Sequence, residues 1–184
     1  MEVNFKGKYL NSTYVRKFNP TTKKYVPEMV HFVEINSQNK KDIKTLKKMA
    51  QSRDEMSFAN QIYQKAKSKP NLMTYVLTNQ SSDYEILSPE DVLGVCQLSK
   101  ENYDVFCLEH LQTKPEFQQE NKDREYKRIG RRIVHSLKKI FYDKTLRVNY
   151  LFDKIPFYMD NGFDSESDLF GDLTWKAQKR KSNL

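Results

Sequence analysis

Apolar and polar positions follow two different periods along this chain, and each period predicts one kind of element. Residues 31–35, 72–78, 92–98 and 105–111 are short apolar runs bounded by polar or turn-forming residues. Runs of this length predict buried strands rather than helices. Only six residues separate the last two runs, so we expect these two strands to pair as an antiparallel hairpin.

Apolar residues at helical spacing predict four helices. Two lie between the first two strands, over residues 42–51 and from Ser57 to just before Pro70. The longest helix has an apolar stripe that consists of Ile129, Ile133, Leu137, Ile140 and Phe141. This stripe advances by 4, 4, 3 and 1 residues, which keeps it on one face of an amphipathic helix. Residues 155–161 predict a short fourth helix.

The order of these elements is typical of a layered α+β domain. After the long helix come a strand over 147–151, the short helix, and a last strand from Phe163 towards Trp175. The complete order is strand, two helices, three strands, long helix, strand, short helix and strand. The sequence contains no internal repeat.

The two ends of the chain differ from this central pattern. Residues 1–30 contain short strand-like runs around a turn at 19–22, and predict an N-terminal β-hairpin extension. The main domain is then expected over 31–175. Residues 176–184 are expected to be a basic, flexible tail.

Composition limits the class of protein. A length of 184 residues favours one domain, and 38% apolar with 30% charged residues is an ordinary globular balance. No apolar run reaches the roughly 18 residues of a membrane helix, and the first nine residues do not resemble a signal peptide. Cys96 and Cys107 are too few for a disulfide scaffold or a zinc site. We therefore expect a cytoplasmic protein without a metal.

The net charge of +8 is concentrated in three places. Residues 124–139 hold seven basic residues against one acidic residue, which gives a local net charge of +6. The segments 40–48 and 176–184 each add a net charge of +4, so the rest of the chain is net acidic. An excess of this kind favours an anionic partner, either a nucleic acid or a phosphate-bearing cofactor.

The most basic segment also places a glycine near the start of the long helix. Gly130 is flanked by Arg128, Arg131 and Arg132. The unpaired N–H groups of a helix start, together with such cations, can hold a pyrophosphate. The alternative is a surface helix whose small residue packs against the sheet, and this segment alone does not decide between the two.

Three segments together resemble one protein family. Residues 155–163 (IPFYMDNGF) are similar to the closing motif xxFYexxGF of the GNAT superfamily of acyl-CoA N-acyltransferases. Residues 108–117 (LEHLQTKPEF) resemble the fourth strand of that family and its exit. Residues 126–131 (YKRIGR) resemble the end of its acyl-CoA phosphate loop, with Gly130 on the last Gly/Ala and Arg128 where the first Gly is usual. The resemblance spans about residues 31–163.

The resemblance implies a fold and a cofactor. The fold is a mixed, mostly antiparallel central sheet flanked by helices in a layered α/β/α arrangement. The cofactor is acetyl-CoA as acyl donor. Its pantetheine arm is expected on the main chain of Leu111, Gln112 and Thr113, with the Leu111 N–H as oxyanion donor. Its phosphates are expected on Lys127, Arg128, Ile129, Gly130 and Arg131.

The resemblance also implies an acid and a base. Tyr158 matches the family's general acid, which returns a proton to the leaving thiolate; the alternative is an aromatic residue that only packs the short helix. Glu109 is the expected base, with His110 or water as the alternatives and an ion-paired rim carboxylate as a non-catalytic reading. Strand alternation places Glu109 on the face of Leu111, and His110 on the opposite face with Phe106 and Leu108; a bulge in this strand would upset that parity.

The implied activity is an N-acetyltransferase that acts on a small-molecule or peptide amine, as a monomer or homodimer and without a membrane. A second hypothesis keeps the chemistry but makes an aminoacyl-tRNA the acceptor, so that the basic segments follow RNA phosphate. A third hypothesis is a nucleic-acid-binding module without enzymatic activity.

Overall fold

The structure is a computed structural model that describes most of the chain. The described residues are 8–36, 42–44, 47–48, 57–68, 72–81, 84, 87–118, 120, 122–149, 154–165 and 172–177. The segment 178–184 of the predicted tail therefore lies outside the described residues, as does half of the first predicted helix. None of the described helices is long and apolar enough to cross a membrane.

One nine-stranded sheet organises the described residues. Its strands are β1 (Lys8–Asn19), β2 (Lys24–Ile35), β3 (Met73–Thr78), β4 (Val92–Lys100), β5 (Val105–Thr113), β6 (Tyr126–Lys127), β7 (Thr145–Asn149), β8 (Asp164–Ser165) and β9 (Asp172–Lys176). Their order across the sheet is β6-β1-β2-β3-β4-β5-β7-β9-β8. Neighbouring strands are antiparallel except β5 and β7, which run parallel.

Within the described ranges, three helices of six or more residues pack on this sheet. They are α1 (Ser57–Ser68), α2 (Ile129–Ile140) and α3 (Ile155–Asp160). Helix α2 lies between β5 and β7 in the chain, as a parallel strand pair requires a long crossover connection. Residues 42–44 and 47–48 are also helical, in the region of the first predicted helix.

The helices cover both faces of the sheet. Along β2, Phe32 belongs to a large buried cluster that includes the apolar side of α2, whereas its neighbour Val33 belongs to a smaller cluster that includes Ala66 of α1. Tyr158 of α3 lies in the large cluster. The predicted layered α/β/α arrangement with a mixed, mostly antiparallel sheet is confirmed.

The N-terminal hairpin is longer than its sequence pattern predicts. Its two strands pair from Lys8 with Glu34 to Asn19 with Lys24. The predicted turn is confirmed, since the Asn19 side chain accepts hydrogen bonds from the N–H groups of Thr21 and Thr22. The predicted boundary at residue 30 stays a prediction; strand β2 runs across it.

Two other strands differ from the expected pattern. The last strand is a pair, β8 and β9, and the residues that connect them lie outside the described ranges. Strand β6 was not predicted, because two residues are too short to show any period. It pairs with β1, so the outer strand of the hairpin contacts the segment that leads into α2.

Candidate functional site

The two parallel strands of the sheet diverge. Strand β5 pairs with β7 only through residues 105–108, opposite residues 145–148. The second half of β5, residues 109–113, continues to pair with β4. No described residue pairs with the other edge of that half. The backbone N–H and C=O groups along this edge, which include those of Leu111 and Thr113, are therefore available to a ligand.

A β-bulge lies where the strands diverge. Gln97 of β4 pairs with His110, and the next residue, Leu98, pairs with Leu108. Glu109 is therefore an extra residue in β5, and the bulge reverses the alternation beyond it. Leu111 packs against the same large cluster as Leu108. The expectation that His110 shares the face of Leu108 was wrong, since simple alternation holds only in an unbulged strand.

The bulge gives the two candidate bases different surroundings. The carboxylate of Glu109 is exposed and accepts a hydrogen bond of 2.5 Å from the Ser99 hydroxyl. The His110 ring is half-buried and contacts the Lys65 ammonium group of α1. Burial, and then the charge of Lys65, lower the pKa of His110. A neutral imidazole at neutral pH is therefore favoured at this position.

The start of α2 lies against the end of β5. A Cβ atom on Gly130 would be 3.3 Å from the Phe157 ring of α3 and 3.9 Å from the Thr113 methyl group. The structure thus brings together Gly130 and Thr113, two residues that the sequence placed in separate parts of the cofactor site. Ile129 of the same turn is buried under the helix, and Arg131 is exposed.

The first turn of α2 has no capping side chain and no acidic residue. The first N–H groups of a helix have no partner within it, so this turn retains donors for an anion. Arg128, at the cap position, has a φ of 70° and lies in the left-handed region. This is the position where the family motif has glycine.

Helix α3 places Tyr158 inside the large cluster. The Tyr158 ring makes edge contacts with Phe157 and Phe163, at centroid distances of 5.0 and 5.6 Å. Burial, with a smaller effect of Cys96, raises the pKa of Tyr158 to about 12. Cys96 is the β4 partner of Leu111. Tyr158 is therefore protonated at neutral pH, and it lies on the α2 side of the sheet, near the divergent half of β5.

The N-terminal hairpin contributes a connection that the sequence did not predict. Arg16 and Lys17 of β1 pair with β6 directly before the start of α2. The Tyr126 hydroxyl donates to Glu28 of β2 at 2.9 Å, and Lys17 forms an ion pair with the same carboxylate at 3.0 Å. Lys127 lies 3.7 Å from the centre of the Tyr25 ring. More than 90 residues separate Tyr126 from Glu28 in the chain, so no local pattern indicates the contact.

The described residues show no group of three or more His, Cys, Asp or Glu side chains that could hold a metal ion. Cys96 and Cys107 are both buried, free thiols.

No family model and no curated protein matches this sequence. Solved structures do match its fold. Gcn5 of Tetrahymena superposes with a TM-score of 0.53 at 12% identity, over 80% of this chain and 96% of that one. AtaTR bound with acetyl-CoA gives a TM-score of 0.52 at 16% identity, over 79% and 92%. AtaT complexed with acetyl-methionyl-tRNAfMet gives 0.51 at 14% identity, over 80% and 94%.

Proposed function

The chain has the GNAT fold, and we propose that it is an acetyl-CoA-dependent N-acetyltransferase that moves an acetyl group directly to a primary amine. One observation carries the proposal. The edge of β5 at Leu111 and Thr113, beyond the pairing with β7, lies beside the uncapped first turn of α2 through the approach of Gly130 to Thr113. This arrangement offers hydrogen-bonding backbone to an extended ligand and open N–H donors to its phosphates.

The residues present fit acetyl-CoA. The main chain of Leu111, Gln112 and Thr113 would hold the pantetheine arm, and the Leu111 N–H would donate to the oxyanion. The phosphates would be held by Lys127, Arg128, Ile129, Gly130 and Arg131. Gly130 supports this assignment because a side chain there would fill space beside Phe157. The cofactor supplies an acetyl thioester, whose thiolate is the leaving group.

Tyr158 is the proposed general acid. Its phenol remains protonated at neutral pH, because burial raises its pKa to about 12. A protonated phenol on the α2 side of the sheet is suited to give its proton to the departing thiolate. Its contacts with Phe157 and Phe163 also fix the ring orientation, so a loss of packing must be separated from a loss of the hydroxyl.

Glu109 is the proposed base for the amine, and His110 is the alternative. An exposed carboxylate held by Ser99 can accept a proton directly or through water. His110 is supported by its lowered pKa, which leaves the ring nitrogen unprotonated. The pH profiles of Glu109→Gln and His110→Gln would distinguish them, because the acidic limb of the rate profile is lost only in the variant that lacks the base.

Titration calorimetry with acetyl-CoA tests the proposed activity. We expect saturable binding, and thiol release that depends on an added amine. A panel of small amines, peptide amino termini and lysine peptides would identify the acceptor class. Absence of binding at millimolar acetyl-CoA would remove the proposal and favour the non-enzymatic nucleic-acid-binding module.

The net charge of +8 favours a second candidate, in which an aminoacyl-tRNA is the acceptor. The chemistry would be unchanged, but the basic segments would also contact RNA phosphates. Activity on an aminoacyl-tRNA should then decrease steeply as salt is raised from about 50 to about 200 mM. A small amine acceptor would show a much weaker dependence over the same range.

A further inference from the structure

A cavity of about 420 Å³ lies between the N-terminal hairpin and the start of α2. The residues that line it are Tyr14, Val15, Arg16, Pro27, Arg128 and Arg132. Three of the six are arginines and none is acidic. A lining with three positive side chains and no acidic one favours an anionic ligand.

The fold directs these arginines to one place. Arg16 lies opposite Lys127 in the β1–β6 pairing, beside the start of α2. Arg128 precedes the helix at its cap position, Arg132 lies in its first turn, and both line the cavity. On the β1 side, the Arg16 guanidinium donates to the Tyr25 carbonyl at 3.4 Å, and the buried Val15 fixes the strand in the core.

This flank is opposite the one that faces β5. Gly130 lies about 200° around the helix from Arg132, and it approaches Thr113 and Phe157. The cavity is therefore separate from the divergent edge of β5, although the two share the first turn of α2.

The walls of the cavity indicate the class of ligand. Guanidinium groups bind phosphate oxygens in a bidentate manner. Tyr14 is 56% exposed, and Pro27, the register partner of Arg16, is exposed beside it. An exposed aromatic ring next to arginines is a typical stacking surface for a nucleobase. The volume is within the range of small-molecule pockets.

We propose that this cavity binds a nucleotide, with phosphate on Arg16, Arg128 and Arg132 and the base against Tyr14. The nucleotide has two sources: the 3′-phosphorylated adenosine of coenzyme A, or one nucleotide of an RNA strand. The first source rests on the proposed acetyltransferase function and the second does not.

Calorimetry with adenosine 3′,5′-bisphosphate tests the site without the acetyl-transfer chemistry. Arg16→Gln and Arg132→Gln should each weaken binding at least tenfold. Lys24→Gln on the same hairpin and Lys139→Gln on the same helix, both exposed, should change it less than twofold. Tyr14→Ala should weaken binding of the bisphosphate but not of inorganic phosphate. Equal affinity in all variants, or no binding to the unmodified chain at millimolar bisphosphate, would overturn the proposal.

Two further ligands identify the source. If it is the cofactor, Arg16→Gln should bind coenzyme A and dephospho-coenzyme A equally, whereas the unmodified chain prefers the former. If it is RNA, Arg16→Gln should lose affinity for a single-stranded ten-nucleotide RNA and keep its affinity for coenzyme A. If the chain binds the bisphosphate but not acetyl-CoA, the acetyltransferase proposal fails and the nucleotide site stands.

Discussion

Arg128 combines an unfavourable backbone conformation with a useful side chain. Its φ of 70° costs a non-glycine residue about 1 kcal/mol, and its side chain lines the cavity together with Arg16 and Arg132. Arg128→Gly removes both features, whereas Arg128→Ala removes only the side chain. We predict that the glycine variant is more stable than the alanine variant by about 1 kcal/mol in urea unfolding. Both variants should bind acetyl-CoA more weakly. Equal stability of the two variants would contradict the backbone strain inferred at Arg128.

A substitution at Tyr158 can also separate a role in chemistry from a role in packing. Tyr158→Phe keeps the ring that contacts Phe157 and Phe163 and removes only the hydroxyl. We predict that acetyl transfer at saturating substrate becomes slower by a factor of roughly one hundred to ten thousand, the usual contribution of a positioned acid. The affinity for acetyl-CoA in calorimetry should change less than twofold. Unchanged turnover would leave Tyr158 as a packing residue.

For single residues, the sequence predicts which element holds a residue better than it predicts which way the side chain points. The spacing of Gly130 and Tyr158 placed both on helices, and the structure places them there. The direction of His110 could not be predicted, because a bulge adds one residue without any change in composition. The left-handed conformation of Arg128 was indicated only by the glycine that the family motif has there.

Among the elements, α2 packs closely against β4 at Gly94. Gly94 of β4 permits it, since a Cβ atom there would lie 2.9 Å from Ile133 Cδ1 and 3.0 Å from the Gln112 carbonyl oxygen. Gly94→Ala must displace either the helix or β5. We predict a destabilisation of about 1–3 kcal/mol, measured by urea unfolding, with weaker acetyl-CoA binding because α2 shifts relative to Thr113.

A double variant tests the cause of that destabilisation. Ile133→Val removes the Cδ1 atom that the new methyl group would meet and costs about 0.5–1.5 kcal/mol alone. Combined with Gly94→Ala, it should destabilise by less than the two single changes together. Full additivity would indicate that the Gln112 carbonyl or the Ile129 side chain, each 3.0 Å from the new Cβ atom, causes the loss, and not Ile133.

The type of an element could be predicted from the sequence wherever its apolar pattern extended over enough residues to be recognised. The apolar stripe of α2 predicted a helix over the segment that the structure shows, and β3, β4 and β5 followed from their apolar runs. The short runs predicted within residues 1–30 belong to longer strands, because polar residues such as Asn11 and Ser12 do not prevent β1 from pairing with β2. Strand β6 depends on a partner far away in the chain, so its pairing is a property of the tertiary fold.

In the whole molecule, the fold distributes the basic side chains over several surfaces, which the net charge of the sequence does not show. Residues 124–139 carry a net charge of +6, but their side chains point in several directions. Arg128 and Arg132 line the cavity, and Lys127 contacts Tyr25 of the hairpin. Lys138 packs over Trp175 on the other side, where burial lowers its pKa to about 8. Only part of this segment is therefore available to an anion at the helix start.

The N-terminal hairpin links the basic residues at the start of α2 to the rest of the sheet. Strand β1 pairs with β2 on one side and with β6 on the other. The hairpin therefore connects β3 to the segment that leads into α2. Glu28 stabilises this connection by accepting from Tyr126 and by pairing with Lys17. Hydrogen bonds with Tyr126 and Glu28 raise the pKa of Lys17 above its ordinary value of 10.5. A raised lysine pKa stabilises the fold below that ordinary value, and the contribution is lost as pH rises through the folded-state pKa.

Glu28→Gln therefore tests whether the hairpin unfolds with the rest of the sheet. The change removes a charged acceptor and its ion pair, which together contribute about 1 kcal/mol at neutral pH. In a chain of this length such a loss lowers Tm by about 2–4 °C, and we expect a single transition in calorimetry, shifted as a whole.

Glu125→Gln is the matched control, because Glu125 reaches Lys17 only at 3.7 Å and is exposed. This variant should shift Tm by less than about 1 °C. A separate low-temperature transition in Glu28→Gln would instead show that the hairpin is an independent unit, and that the cavity between the hairpin and α2 can open without unfolding of the sheet.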